Sequence, residues 1–216
     1  MKKNLFHWSL NLAAAVALTV SLNAAEKLTR YVARPGASVT IDGTSSIHDW
    51  TVEGKIVGGY FMVEPAFDTD LSLKSVASVT TKEQNPKAVI SIPIRSLKSG
   101  KDAMDRIMQE AMKAEDNPMI KFTLKEMVVK GDVPAAGTPV KFDVKGDLAL
   151  SGESKPVEFV LTMERKPDKM LHFKGEKPLK MTDFGIVPPA PKIPGMDMIK
   201  TGDDVTIKFT WPVQTR

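Results

Sequence analysis

An all-β domain carrying one main α-helix is the architecture encoded by this chain, and three features of the sequence point to it. Apolar and polar side chains alternate with period two along much of the chain after residue 26, as in strands buried on one face. Within residues 92–122 the apolar spacing changes to three and four, which is the period of an amphipathic helix. Turn-forming groups such as Pro35-Gly36 and Ser151-Gly152 punctuate the strand-like runs. Several strands with one apolar face must either close on themselves or stack as two sheets, so periodicity alone leaves both a barrel and a filled β-sandwich open.

The N-terminus reads as a targeting segment. Lys2 and Lys3 precede a mostly apolar run at residues 10–22, shorter than the ~20 residues that span a bilayer, and small residues follow at Ala24 and Ala25. The expected division is a signal peptide over residues 1–25 and one domain over 26–216, with a retained N-terminal anchor as the competing reading. About 190 residues then remain, a size that one all-β domain commonly occupies. Loss of Lys2 and Lys3 leaves 28 basic against 26 acidic side chains, so the sequence pI near 9.1 overstates the basicity of the mature form.

Taken in order, the first strands are expected around Tyr31-Val32 and Val39-Thr40-Ile41, followed by one in which Trp50, Val52 and Ile56 share a face until Gly58-Gly59 interrupts it. Further candidates are residues 71–79, Ala88–Pro93, Met119–Val129 and Val140–Leu150. In the last of these Val140, Phe142, Val144, Leu148 and Leu150 alternate with Lys141, Asp143, Lys145 and Asp147. A turn at residues 151–154 returns the chain as Val157, Phe159, Leu161 and Met163, which gives a hairpin. Leu171 and Phe173 open another strand, and Val205, Ile207, Phe209 and Trp211 form the final one. About eight or more strands result.

In the helix, Ala103, Met104, Ile107, Met108, Ala111 and Met112 gather on one face, with Asp105, Arg106, Gln109, Glu110 and Lys113 opposite. Ser99 is placed to cap its first turn, with Asp102 three residues on, and Pro118 ends any helical continuation. The proline-rich segment 187–200 retains Ile193, Met196 and Met198 and reads either as a lid over a pocket or as a plain surface connection.

Several function classes find no support. The chain has no cysteine, which excludes disulfides, thiolate metal sites and a lipid-modified N-terminal cysteine. Beyond His7 in the leader, His48 and His172 lie far apart without metal-site spacing, and Ser45 and Ser46 stand outside any nucleophile-elbow sequence. No glycine-rich phosphate loop and no basic-aromatic cluster occurs, so neither an enzyme nor a nucleic-acid binder is expected. Met104, Met108, Met112 and Met181 supply flexible, polarizable side chains suited either to core filling or to an adaptable apolar surface.

Four segments together resemble the YceI-like family of secreted, lipocalin-like lipid-binding proteins. They are GTSSIHDWTVEG at residues 43–54, SLKSGKDAMDRIMQEAMKAEDNPMIKF at 96–122, GDLALSGESKPVEF at 146–159 and MTDFGI at 181–186. The resemblance implies an antiparallel lipocalin-like β-barrel enclosing an apolar cavity, located in the periplasm or secreted. It further implies an isoprenoid or other long-chain amphiphilic lipid as partner, such as an isoprenoid quinone, with transient membrane contact and no named oligomeric state. Inward-facing periodicity on the matching strands and helix then selects the cavity candidates Met104, Ile107, Met108, Met112, Phe122, Leu124, Phe142, Val144, Leu148, Leu150, Phe159, Leu161, Phe184, Ile207 and Phe209. Neither a catalytic residue nor a metal ligand is among them.

Overall fold

A computed structural model describes residues 28–76, 78–80, 87–132, 135, 137–191 and 198–215. The leader, Ile193 and Met196 lie outside the described residues.

Among the described residues eleven strands form one antiparallel sheet: β1 Thr29–Ala33, β2 Ser38–Ser45, β3 Trp50–Gly54, β4 Gly58–Val63, β5 Ser78–Thr80, β6 Ala88–Pro93, β7 Met119–Val129, β8 Val140–Leu150, β9 Glu153–Lys166, β10 Met170–Lys180 and β11 Thr201–Thr215. Eight of them close a barrel in the order β1-β4-β6-β7-β8-β9-β10-β11, with β1 returning to β11 at Tyr31↔Thr215 through Ala33↔Val213. That closure settles against the filled sandwich. β2 adds to the N-terminal part of β11 and carries β3, while β5 lies against β7.

The alternation in β8 is reproduced: Val140, Phe142, Val144, Leu148 and Leu150 are buried, Lys141, Asp143 and Lys145 face solvent and Asp147 is half-buried. In β7 a bulge between Leu124 and Glu126 shifts the inner face to Met127, and in β11 Trp211, Pro212 and Val213 are buried in succession. Ser151 and Gly152 both take positive φ, 56° and 88°, as a two-residue type I′ turn requires, so the loop between β8 and β9 is shorter than the four residues expected. Two strand expectations differ. Residues 71–76 form turns, with only Ser78–Thr80 paired, because Leu73 and Val76 point down into the core from a loop rather than along a ladder. Ile56 lies outside β3 and is exposed, since the chain breaks there to start β4 at Gly58. Gly59, at φ 136°, lets β4 approach β6 so closely that a Cβ would sit 2.1 Å from the Val89 carbonyl oxygen.

One end of the barrel is packed shut. A one-turn helix α1, Ala66–Thr69, sets Phe67 against Phe61, which meets Phe173 and through it Trp211, with ring centroids 5.4–5.9 Å apart in successive pairs. Tyr31 donates to the Asp68 carboxylate and Arg165 to the Phe67 carbonyl. Burial pushes the Tyr31 phenol well above its ordinary value, and the Asp68 hydrogen bond adds to the shift. At the other end β9 and β10 part company: their pairing stops at Gly175↔Leu161, after which β9 continues with β8 alone and β10 with β11 alone. The barrel wall therefore splits, and the opening is where the long helix lies.

Candidate functional site: an apolar cavity under the helix

That helix, α2, spans Asp102–Ala111. Its start differs from the expected serine cap, because Lys101 holds the cap position and makes no side-chain capping bond. Ser99 instead folds back onto Asp105, donating its backbone N–H and its hydroxyl to Oδ1, each at 2.7 Å, while Lys98 Nζ stands 3.3 Å from Oδ2. Asp105, expected on the solvated face, is only 4% exposed. Burial alone would raise its carboxyl, but the Ser99 bonds and the Lys98 ion pair outweigh it and hold the group below its ordinary value. The latch fixes one end of the helix across the opening.

Beneath α2 lies a cavity of about 620 Å³. The helix contributes Ala103, Met104, Ile107, Met108, Ala111 and Met112, the whole apolar face read from the sequence. Opposite stand Ile41 and Val52 from β2 and β3, and Val205 and Ile207 from β11. Ile120, Leu148 and Leu150 close one side, and Leu179, Met181, Phe184 and Ile186 fill the wedge where β10 leaves β9. The 3-10 turn Thr182–Phe184 that carries Phe184 is held by Asp203, which accepts from the Thr182 backbone N–H at 2.9 Å and its hydroxyl at 2.7 Å. Pro189, Pro191 and Ile199, flanking the proline-rich segment, also line the cavity.

Polar groups are few in this lining: Ser45, His48, Lys101, Lys180 and Thr201. Lys180 pairs with Asp204 at 2.9 Å, which raises its ammonium above the ordinary lysine value. Ser45 donates its hydroxyl to the His48 carbonyl at 2.7 Å and accepts the His48 backbone N–H, while the His48 ring faces the Asp49 carbonyl. The serine and histidine thus close a turn and do not face each other as nucleophile and base. Among the described residues no cluster of three or more His, Asp or Glu side chains could hold a metal ion, and no helix is long and apolar enough to cross a membrane.

Of the fifteen cavity candidates, Met104, Ile107, Met108, Met112, Leu148, Leu150, Phe184 and Ile207 line this space. Leu124, Phe142, Val144 and Leu161 share the inner face but sit deeper, 1–8% exposed, in the packed half of the barrel. Phe122, Phe159 and Phe209 are half-buried between the two halves. Ile41, Val52, Ile120, Leu179, Ile186 and Val205 were outside the candidate set. For two of them the sequence carries a signal in the period-two runs that hold Ile41 and Val52, and the structure pairs Ile41 with both Ile207 and Val52.

Comparison with known proteins follows the same lines. The family model described as YceI-like domain matches residues 40–212. Among solved structures, a polyisoprenoid-binding domain from Saccharophagus degradans, implicated in plant cell wall breakdown, superposes with a TM-score of 0.61 at 13% identity, over 88% of this chain and 100% of that one. Burkholderia cenocepacia BcnA gives 0.55 at 16% identity, over 82% and 95%. A variant of the Campylobacter jejuni YceI protein gives 0.52 at 19%, over 76% and 84%. No curated protein matches the chain.

Proposed function

The chain belongs to the YceI-like family, and we propose from that premise that it is a noncatalytic periplasmic or secreted protein that holds an isoprenoid or related long-chain lipid in the cavity under α2. One observation carries the reading: Met104, Ile107 and Met108 line the cavity from α2 yet remain half-exposed, with no side chain among the described residues covering them fully. Apolar surface left uncovered inside a wall costs free energy unless a ligand fills it, and concave, mostly apolar sites of this size are where ligands bind. The polyisoprenoid-binding name of the Saccharophagus relative supports the ligand class.

The energetics favour carriage over permanent capture. A chain of about 20 carbons gains on the order of 16 kcal/mol on leaving water, at about 0.8 kcal/mol per buried methylene. Such a lipid resides in a membrane, so transfer into the cavity exchanges one apolar surrounding for another and is nearly balanced. Transient contact with a membrane surface would then suffice for loading.

Two substitutions test the reading together. Met108→Asp puts a charge into the cavity and should lower retention of added isoprenoid alcohol at least about tenfold, with little change in unfolding of the lipid-free protein. Val144→Phe, in the packed half, should overpack and destabilise by about 1–3 kcal/mol. Undiminished lipid retention by a folded Met108→Asp protein would contradict the assignment of this cavity.

A further inference from the structure

Four of the twelve methionines in the chain, Met104, Met108, Met112 and Met181, line the cavity under α2. Three of them follow one another at spacings of four along the helix and its end, and the fourth precedes the turn that carries Phe184. Met104, Met108 and Met181 are half-buried, and Met112 is 6% exposed. Met127, paired with Val144, and Met163, paired with Phe173, are shut away at 2% and 0%. Access from outside runs past Ile47 and Lys101, which line the cavity and are themselves exposed. The chain has no cysteine, so no thiol competes with these thioethers for an oxidant.

A thioether and its sulfoxide differ little in size and greatly in polarity, because the added oxygen accepts hydrogen bonds. The cavity is poor in donors to meet it. Ala103, Ile107 and Ala111, beside Met104 and Met108 on the same face of α2, have no side-chain donor. Of the polar lining residues, Ser45 donates to the His48 carbonyl and Lys180 to Asp204. In the lipid-free protein, water entering at the mouth can solvate a sulfoxide. An apolar chain displaces that water and leaves the oxygen unpaired, so the cost of oxidation falls on the loaded state.

We propose that Met104 and Met108 form an oxidation-sensitive roof, through which a peroxide or a hypohalous acid makes the protein release its lipid. The inference rests on the lipid-binding reading and adds regulation of that site. In the step a sulfur lone pair takes an oxygen atom from the oxidant: an S–O bond forms and the O–O or O–halogen bond breaks. Sulfur loses two electrons, and the oxidant leaves as water, or as halide and a proton. The change is reversible, since methionine sulfoxide reductases return the thioether. A bound chain in turn covers the two sulfurs and slows their oxidation.

The test exposes the full chain to hydrogen peroxide, both lipid-free and loaded with a four-unit isoprenoid alcohol from phosphatidylcholine vesicles. Peptide mass spectrometry locates the sulfoxides, and retained alcohol is measured after the oxidant is removed. Met104 and Met108 should each gain one oxygen ahead of Met127 and Met163, and more slowly in the loaded protein. Retention should fall about tenfold while circular dichroism shows the lipid-free oxidised protein still folded, and treatment with a methionine sulfoxide reductase should restore it. Met119 and Met198, 39% and 45% exposed, also meet the oxidant, and Met119→Leu with Met198→Leu should leave the tenfold fall in place. Met104→Leu with Met108→Leu should bring the ratio of retention before and after oxidant close to one. Sulfoxides at Met104 and Met108 with undiminished retention, or a fall that this pair of substitutions does not abolish, overturns the switch and leaves lipid binding intact. Resistance of both sulfurs under conditions that oxidise Met198 overturns it as well. Failure of the unoxidised protein to retain the alcohol overturns the lipid reading itself, and the release with it.

Discussion

Asp105 carries more structural weight than its place in the sequence suggests. Its carboxylate accepts two hydrogen bonds from Ser99 and faces Lys98, and so ties the segment before α2 to the first turn of the helix. Replacing it by asparagine keeps the shape, removes the charge and turns one acceptor into a donor facing donors. Asp105→Asn should therefore destabilise by about 1–3 kcal/mol in urea unfolding, whereas Arg106→Gln, exposed on the next position, should change stability by less than about 0.5 kcal/mol. The pH dependence has a definite sign. A carboxyl held lower in the folded than in the unfolded protein contributes stability above its unfolded value, near 3.8, and loses it as pH falls through the folded value, so the difference from Asp105→Asn should vanish in acid. Helical periodicity assigns Asp105 to the solvent face. What buries it is the fold-back of residues 98–101, a contact that no 3.6-residue pattern contains.

Strand bounds follow local alternation where one face meets solvent, which is why β7 and β8 begin and end where the sequence places them. The same rule misreads 71–79, where Leu71, Leu73, Val76 and Val79 are spaced like a ragged strand but serve a loop that buries Leu73 and Val76. For the cavity, the α2 face was legible residue by residue, since an amphipathic helix shows its apolar stripe whether a protein core or a ligand covers it. Depth was not legible: Val144 and Leu148 have the same parity on β8, yet one packs in the closed half and the other lines the cavity. The difference comes from the parting of β9 and β10 beyond Gly175, a tertiary event. α2 packs Met104, Met108, Ala111 and Met112 on the core but leaves part of its inner face on the cavity, so it is expected at the low-stability end of the structure. Amide hydrogen exchange in the lipid-free protein should be faster through residues 103–111 than in the middle of β8, and addition of isoprenoid alcohol should slow α2 alone. Equal protection of the two elements without lipid would contradict a helix whose inner face is covered in part by what fills the cavity.

The barrel as built joins a closed, aromatic-packed end to an open end roofed by one helix. Closure through β1 and β11 removes the free edges on the barrel circuit; the aromatic packing fills one half and the cavity occupies the other. The family's overall architecture was readable from strand count, one helix and four local motifs. The register that brings β11 to β1 at one end and to β2 at the other was not, because it depends on pairing more than 150 residues apart in sequence. That division of labour makes one measurement decisive. Protein purified from its native host without detergent should release, on organic extraction, an isoprenoid or other long-chain amphiphile in about one-to-one amount by mass spectrometry, and Met108→Asp purified alongside should release little. A wild-type protein that yields no lipid, and takes up none when isoprenoid alcohols are supplied, would contradict a cavity made to carry one.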